Sequence, residues 1–596
     1  MKTVLEEISV YLGDAFAAAG YDAALGKVSV SNRPDLCEFQ CNGAMAGAKQ
    51  YKKAPAVIAN EVVAALPVDN VFSKVEVVMP GFINLNVTAE YLCDYAKRMA
   101  AEEKHGCEPA VPKKTVVLDY GGANVAKCLH IGHMRPAVIG EALKRLNIFF
   151  DNKVIGDAHL GDWGMPMGLV IEQIHDEFPD LCYFDPNYNG PYPEELPFTV
   201  KDLEVYYPTA SARSKEDETF RERAHQATFL LQNGDPAYCA LWRKLIDMSI
   251  ADLKVGYANL NVSFDLWYGE SDSQPYIEPM IADMKAKGLP YESEGALVMD
   301  VKEESDTKEI PPILLTKSDG AFLYATTDLA TLAQREHDYH PDHIIYVVDK
   351  RQDMHFTQVF RCARKAGIVP ETTKLTFIGN GTMNGADGKP FKTRTGGVMR
   401  LEQLVSEIRE EVISKMKENH PDEPVDESVA EKISIAALKY GDLSNQASKD
   451  YIFDIQRFSS FDGNTGPYIL YTIVRIKSIL QKYFEMAEAS EKMKVTAADR
   501  AVDLLPPTDA SERQLYLMLT RYNEFMQSAY EDLAPHRVCS FIFEVANRFN
   551  KFYQDTHILN NEDAAVKRSY IAFILLAKEI LEQAIWTLGF DAPERM

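Results

Sequence analysis

The chain has 596 residues, too many for one hydrophobic core and enough for about two to four domains. Hydrophobic residues make up 46% and charged residues 25%, an ordinary balance for a soluble globular chain. The formal charge of -25 excludes a surface coated in positive charge for sequence-independent nucleic-acid binding, so any nucleic-acid surface must be confined and selective.

Residues 1 to about 110 read as a separate α+β module. A helix is predicted near 3–20, a second helical pattern over 40–52, and a third after Pro55. VFSKVEVVMPGFINLNV alternates apolar and polar residues on both sides of a Pro-Gly, which predicts two short strands around a turn. A helix over about 88–104 runs into a linker ending at Glu108, Pro109 and Ala110.

From 111 to 424 the pattern is that of a Rossmann-type parallel sheet. TVVLDY (115–120) is a short apolar strand, followed by glycines and a strong helical pattern. NIFFDNKVI then signals a second strand. Pro-, Asp- and Tyr-rich loops and helices over about 171–260 break the rhythm and read as an insertion. Strand signals return at ALVMD, ILLTKS, HIIYVVD and LTFIG. From 425 to 596 apolar residues recur at a helical period, which predicts an all-α bundle. The expected fold class is therefore multidomain α/β: a Rossmann-type core with insertion, an N-terminal α+β domain and a C-terminal helical bundle.

Nine cysteines at irregular positions include no Cys-x-x-Cys pair, so free thiols are expected, with no zinc knuckle and no bound metal. The first residues lack a signal-peptide apolar core, and no apolar run approaches the 18 or so residues of a membrane helix. A cytoplasmic location and no membrane partner are the expectation. No heptad seam is evident, so a monomer is expected.

The strongest short signal is His130-Ile131-Gly132-His133 where a strand feeds a helix. A helix start offers backbone donors and a positive dipole end, and Gly132 lets a ligand approach closely. Histidines three apart face one side and can donate to a triphosphate whose charge moves outward as its α-phosphate is attacked. A second signal is Gly388-Lys389-Pro390-Phe391-Lys392-Thr393-Arg394, a glycine-flanked cationic loop able to close on phosphates. An exposed basic turn is the plainer reading of that loop alone. Neither a GxxxxGK[ST] nor a GxGxxG after Tyr120 is present, which disfavours P-loop and dinucleotide chemistry.

Together these signals resemble the class I aminoacyl-tRNA synthetases, with KPFKT in place of their lysine-serine loop. GGANVAKCLHIGHMR, LGDWG, FDLWYGES, KSDGAFLYATTDLA and YVVDKRQDMHFTQVF resemble the arginyl-tRNA synthetase family, in its order. EFQCNGAMAGAK and PGFIN extend the resemblance to the first domain, and the closing APERM to the last residues.

The resemblance implies ATP, carried with magnesium, L-arginine and tRNA(Arg) as substrates, joined without a protein nucleophile. It places catalysis and ATP binding on His130, His133, Lys389 and Lys392, with Gly132 in the ATP site. Arginine would be held by Asn124, Tyr324, Asp328 and Gln352. A selective guanidinium pocket needs a carboxylate, an aromatic face and a neutral acceptor, and those residues supply them. His355 either bounds the nucleotide or packs in the core. The first domain would meet the tRNA through Phe39, Gln40 and Asn42. The helical domain would read the anticodon, with Asn547 and Asn550 as candidate base readers. Two departures stand out. Ala158 replaces an asparagine usual in the family, and Met165-Pro166-Met167 replaces Thr-Gln-Phe.

Three rivals compete: a synthetase for another amino acid, a small-molecule nucleotidylyltransferase, and a non-catalytic tRNA-binding paralogue. The Tyr324 and Asp328 matches oppose the first, the extra domains the second, and the intact signatures the third.

Overall fold

The computed structural model describes residues 1–596 other than 68–70, 319, 386, 390–398, 420, 423 and 487–500. Two compact units result. One joins Met1–Glu108 to Phe461–Trp586 and Asp591–Met596; the other comprises Pro109–Ser460 and Thr587–Phe590.

In the first unit, helix α1 (Val4–Ala18) starts at a reciprocal cap: Thr3 Oγ1 accepts from Glu6 N at 3.2 Å and Glu6 Oε2 accepts from Thr3 N at 2.7 Å. Its Val4, Ile8, Leu12 and Phe16 are buried. Four antiparallel strands, β1 (Val28–Val30), β2 (Phe39–Cys41), β3 (Phe72–Val78) and β4 (Phe82–Val87), pair in the order β1-β2-β4-β3. Helices α2 (Gly43–Tyr51), α3 (Pro55–Ala65) and α4 (Ala89–Ala101) complete this α+β part.

The second unit is built on a parallel sheet. Strands β5 (Thr115–Tyr120) and β6 (Lys153–Asp157) flank the crossover helix α5 (Ile131–Phe149). α5 is buried over most of its length, and at Gly140 a Cβ would lie 2.2 Å from the Tyr120 ring, so only glycine permits this helix-to-sheet distance. Helices α6 (Met165–Glu177), α7 (Val200–Glu216), α8 (Glu218–Gln232) and α9 (Pro236–Ala258) form the insertion, and α10 (Gln274–Ala286) follows.

ALVMD and ILLTKS do not return to the parallel sheet. With β7 (Tyr291–Ser293) they form β8 (Ala296–Met299) and β9 (Ile313–Thr316), a separate antiparallel sheet. Helix α11 (Tyr324–Tyr339), β10 (His343–Asp349), α12 (Asp353–Ala366) and β11 (Lys374–Asn380) then finish the parallel sheet in the order β11-β10-β5-β6. Its core gathers Val117, Ile155, Leu329, Leu332, Ile344, Tyr346, Phe356 and Val359.

Helices α13 (Leu401–Asn419) and α14 (Glu427–Leu443) pack on α5 within this unit. Arg135 of α5 donates to Asp442 Oδ1 of α14 at 2.8 Å and to the Lys449 carbonyl at 2.9 Å, with the pair 2% and 0% exposed. The remaining helices, α15 (Gly466–Met486), α16 (Ala510–Leu519), α17 (Tyr522–Glu531), α18 (Pro535–Asp555) and α19 (Ala564–Thr587), carry the helical part of the first unit. There Arg513 donates to both Glu38 carboxylate oxygens, at 2.8 and 3.0 Å, tying helical and α+β parts together. No helix among the described residues is long and apolar enough to cross a membrane. All nine cysteines are free thiols.

Candidate active site

The site lies at the carboxyl ends of the parallel strands. β5 ends at Tyr120 and feeds the loop to α5, whose N-cap is His130. His133 Nδ1 accepts from the His130 backbone N–H at 3.2 Å, and His130 Nδ1 accepts from Gly132 N–H at 3.0 Å. The rings stack at 3.8 Å. Because both Nδ1 atoms accept, each neutral ring carries its proton on Nε2. Burial holds His133 down to about 3, and burial, then Lys127, lowers His130. Near neutral pH the pair offers two neutral N–H donors beside a helix start.

The cationic loop leaves the sheet after β11. Lys389 is exposed, and its backbone N–H donates to Asp387 Oδ1 at 3.0 Å. Lys392 lies outside the described residues. Downstream, Ile131 N–H donates to the Met399 carbonyl at 3.1 Å and Leu401 N–H to the Leu129 carbonyl at 3.0 Å. The loop's far end is thus laced to the start of α5.

Asn124 sits in the loop after β5, where Val125 N–H donates to the Gly161 carbonyl at 3.0 Å and Gly161 N–H to the Ala123 carbonyl at 3.1 Å. A Cβ on Gly161 would fall 2.3 Å from Asn124 Oδ1, so this glycine makes room for the asparagine side chain. Segment 160–164 is in turn locked to 268–271. Leu160 N–H donates to the Tyr268 carbonyl at 2.7 Å, Glu270 N–H to the Leu160 carbonyl at 3.0 Å, and Ser271 Oγ to Asp162 Oδ2 at 2.5 Å.

That lock brings in Glu270, which no short motif singles out. Burial lifts its carboxyl to about 7; His159 opposes the shift, while Asp162 and Asp328 add to it. Glu270 also acts electrostatically on Tyr324. Tyr324 and Asp328 occupy the first two turns of α11, the former 68% exposed. Asp328 Oδ2 lies 2.5 Å from His355 Nε2 of α12, and Gln352 is exposed just before α12. Its place in FDLWYGES is the only sequence signal for Glu270, and that block does not say which of its residues meets a ligand.

The altered positions Ala158 and Met167 are buried. Ala158 is 1% exposed, and Met165 packs towards the insertion, against Leu169, Ala210, Phe220 and Ala224. Beside it, Asp119, Asp157 and His159 bring ligand atoms within 4.8 Å of one another, and the Arg335 guanidinium sits between the two carboxylates. The chain itself supplies the positive charge there.

In the first unit, Phe39 is 2% exposed and belongs to the core, so its ring offers RNA no face. It occupies an interior strand, β2, whose alternate residues must point inward. Gln40 Nε2 donates to Asn84 Oδ1 at 2.9 Å, and Asn42 is exposed. Asn547 Oδ1 accepts from Tyr468 O–H at 2.9 Å; Asn550 donates to Tyr468 Oη at 2.9 Å and accepts from Arg475 at 2.5 Å. Both amides are engaged in one network with Arg475, which also lies over Tyr471 and Tyr553 at 4.6 and 5.3 Å.

A parallel sheet whose first strand feeds a His-Ile-Gly-His helix start, interrupted by a helical insertion, defines a class I aminoacyl-tRNA synthetase core. Family models described as "tRNA synthetases class I (R), catalytic domain", "DALR anticodon binding domain" and "Arginyl tRNA synthetase N terminal domain" match residues 97–455, 469–596 and 2–87. The chain is 55% identical to an arginine–tRNA ligase of Agathobacter rectalis and 51% identical to one of Alkaliphilus oremlandii, each over 100% of both chains. Its fold is that of the arginyl-tRNA synthetases of Plasmodium falciparum and Thermus thermophilus. The TM-scores are 0.81 and 0.77 at 22% and 20% identity, covering 100% of each chain. The chain belongs to the arginyl-tRNA synthetase family, and its enzymatic class is that of an arginine–tRNA ligase.

Proposed function

We propose that the ligase reaction runs in two steps at the site at the sheet's carboxyl edge. The arginine carboxylate attacks the α-phosphorus of ATP, the bond to the bridging oxygen breaks, and pyrophosphate leaves with the magnesium its phosphates carry. The terminal ribose hydroxyl of tRNA(Arg) then attacks the adenylate carbonyl, and AMP departs.

His130 and His133 donate Nε2–H to phosphate oxygens, Gly132 leaves space for them, and Lys389 and Lys392 draw charge towards the leaving group. Asn124 holds the α-amino end. Asp328 and Glu270 accept from the guanidinium, Tyr324 supplies an aromatic face, and Gln352 supplies a neutral acceptor. The observation that carries this reading is that the carboxyls of Glu270 and Asp328 act on one another and Glu270 acts on Tyr324, so the negative field of both reaches one site that suits a cation. The first unit binds the tRNA, with Asn42 and the Arg475 cluster as its contacts; Asn547 and Asn550 hold that cluster in place.

The test is aminoacylation of unfractionated tRNA with each of the twenty amino acids in turn, with Asp328→Ala in parallel. Charging by arginine alone, lost in the variant, supports the assignment. Charging by a different amino acid, or full activity in the variant, refutes the pocket.

A further inference from the structure

Along α11, residues 324, 328, 331 and 335 are spaced four, three and four apart and share one helix face. The first two are the pocket residues Tyr324 and Asp328. The last two, Thr331 and Arg335, are 2% and 3% exposed and turn towards the sheet. What they meet is a single row across three neighbouring strands. Tyr346 of β10 is in register with Asp119 of β5, and Asp119 with Asp157 of β6.

Arg335 covers this row. Its Nη2 donates to Asp119 Oδ2 at 2.6 Å and to Asp157 Oδ2 at 2.7 Å, and its guanidinium carbon stands 5.1 Å from the centre of the Tyr346 ring. One guanidinium between two buried carboxylates leaves a negative charge uncompensated in a poorly solvated place. His159, directly after β6, lies with Nδ1 3.6 Å from Asp157 Oδ2 and Nε2 3.5 Å from Thr331 Oγ1. Burial disfavours its charged form, yet Asp157 and Asp119 prevail and hold it protonated to about 9. His159 keeps a backbone φ of +30°, a conformation costly for a residue with a Cβ, which persists where surroundings over-determine it.

We propose that Arg335 is a positioning residue for arginine recognition: braced by Asp119, Asp157, His159 and Thr331, it anchors α11 to the sheet and so sets where Tyr324 and Asp328 stand. It touches no substrate. The inference rests on the assignment of Tyr324 and Asp328 to the arginine pocket. The hydrogen bonds that set His130 and His133 at the α5 start run within 130–133 and do not include Arg335, so the expected effect falls on arginine rather than on ATP.

The experiment is steady-state aminoacylation by full-length Arg335→Lys, Thr331→Val and Asp328→Ala, with KM for arginine, KM for ATP and kcat measured separately. Lysine keeps the charge but not the fork that spans two carboxylates. Arg335→Lys is expected to raise the arginine KM roughly tenfold and Thr331→Val about threefold, with ATP KM and kcat within about twofold, on the scale of losing one charge-assisted or one neutral hydrogen bond. A merely structural role would move both KM values together or lower only the active fraction, and that result overturns the proposal. So does an unchanged arginine KM in both variants while Asp328→Ala raises it. An Asp328→Ala enzyme with unchanged arginine KM refutes the pocket assignment itself. Should Arg335→Lys fail to fold, Thr331→Val decides: a selective rise supports the anchor, and no rise overturns it.

Discussion

Asp328 on α11 and His355 on α12 meet at 2.5 Å between Oδ2 and Nε2. One carboxylate oxygen is thereby held by the protein, and in the proposed pocket the other would accept from the guanidinium. Asp328→Ala is expected to raise the arginine KM roughly 10- to 100-fold, the scale of a lost charge-assisted hydrogen bond. His355→Ala frees the carboxylate without removing it and should cost less, about threefold. ATP–pyrophosphate exchange, with whatever tRNA the exchange requires, measures both.

Glu270 titrates in the working range, and the sign of its effect follows from that. Below about 7 the buried carboxyl is mainly neutral; above it the group is ionised and attracts a guanidinium. The arginine KM should therefore fall as pH rises from 6 to 8, and Glu270→Gln should flatten that slope. A parallel slope in the ATP KM would assign the titration elsewhere.

In the proposed reaction His130 and His133 are neutral donors, since both are lowered and His133 lies near 3. No loss of rate from protonating His133 is expected between pH 6 and 9. Replacing either by alanine removes one donor to the developing charge, which should lower kcat by about 100- to 1000-fold. Asparagine, which can donate from its amide, should recover part of it. Single-turnover adenylate formation separates this from product release.

Arg135 and Asp442 are a stability test. Removing the guanidinium strands a carboxylate that is 0% exposed, so Arg135→Ala should cost about 3–5 kcal/mol in denaturant unfolding. The double change Arg135→Met with Asp442→Leu should cost much less, because no buried charge is left unpaired.

The parts legible in the sequence were those written in local periodicity and short motifs. TVVLDY, the His130 helix start, HIIYVVD and LTFIG emerge as strands and helix where the pattern puts them, because each is specified by neighbours a few residues away. The C-terminal helices form too, but the bundle expected from 425 begins at Phe461, and Glu427–Leu443 belongs to the unit of the parallel sheet. The three-residue strands β1 and β2 are too short to show alternation in the sequence, and the helical pattern read over 40–52 overlaps the end of β2 at Gln40 and Cys41. ALVMD and ILLTKS were correctly strands but were given the wrong sheet, since a strand's own residues do not name its partner.

The site divides along the same line. Asp328, Tyr324, His130 and Lys389 stand out in the sequence because motif and residue chemistry coincide at those positions, and their proposed roles rest on that coincidence. Glu270 does not, because its significance comes from two backbone hydrogen bonds that lock 160–164 to 268–271, more than a hundred residues apart. Phe39 and the paired Asn547 and Asn550 show the converse: aromatic and amide types suited to RNA, committed by burial or by Tyr468 and Arg475 to the protein itself. The sequence alone therefore determined the family chemistry and the order of elements, which depend on residue type and local spacing. Only the tertiary structure decided which side chains remain available to a ligand, because burial, register and ionisation depend on what the chain brings together from afar.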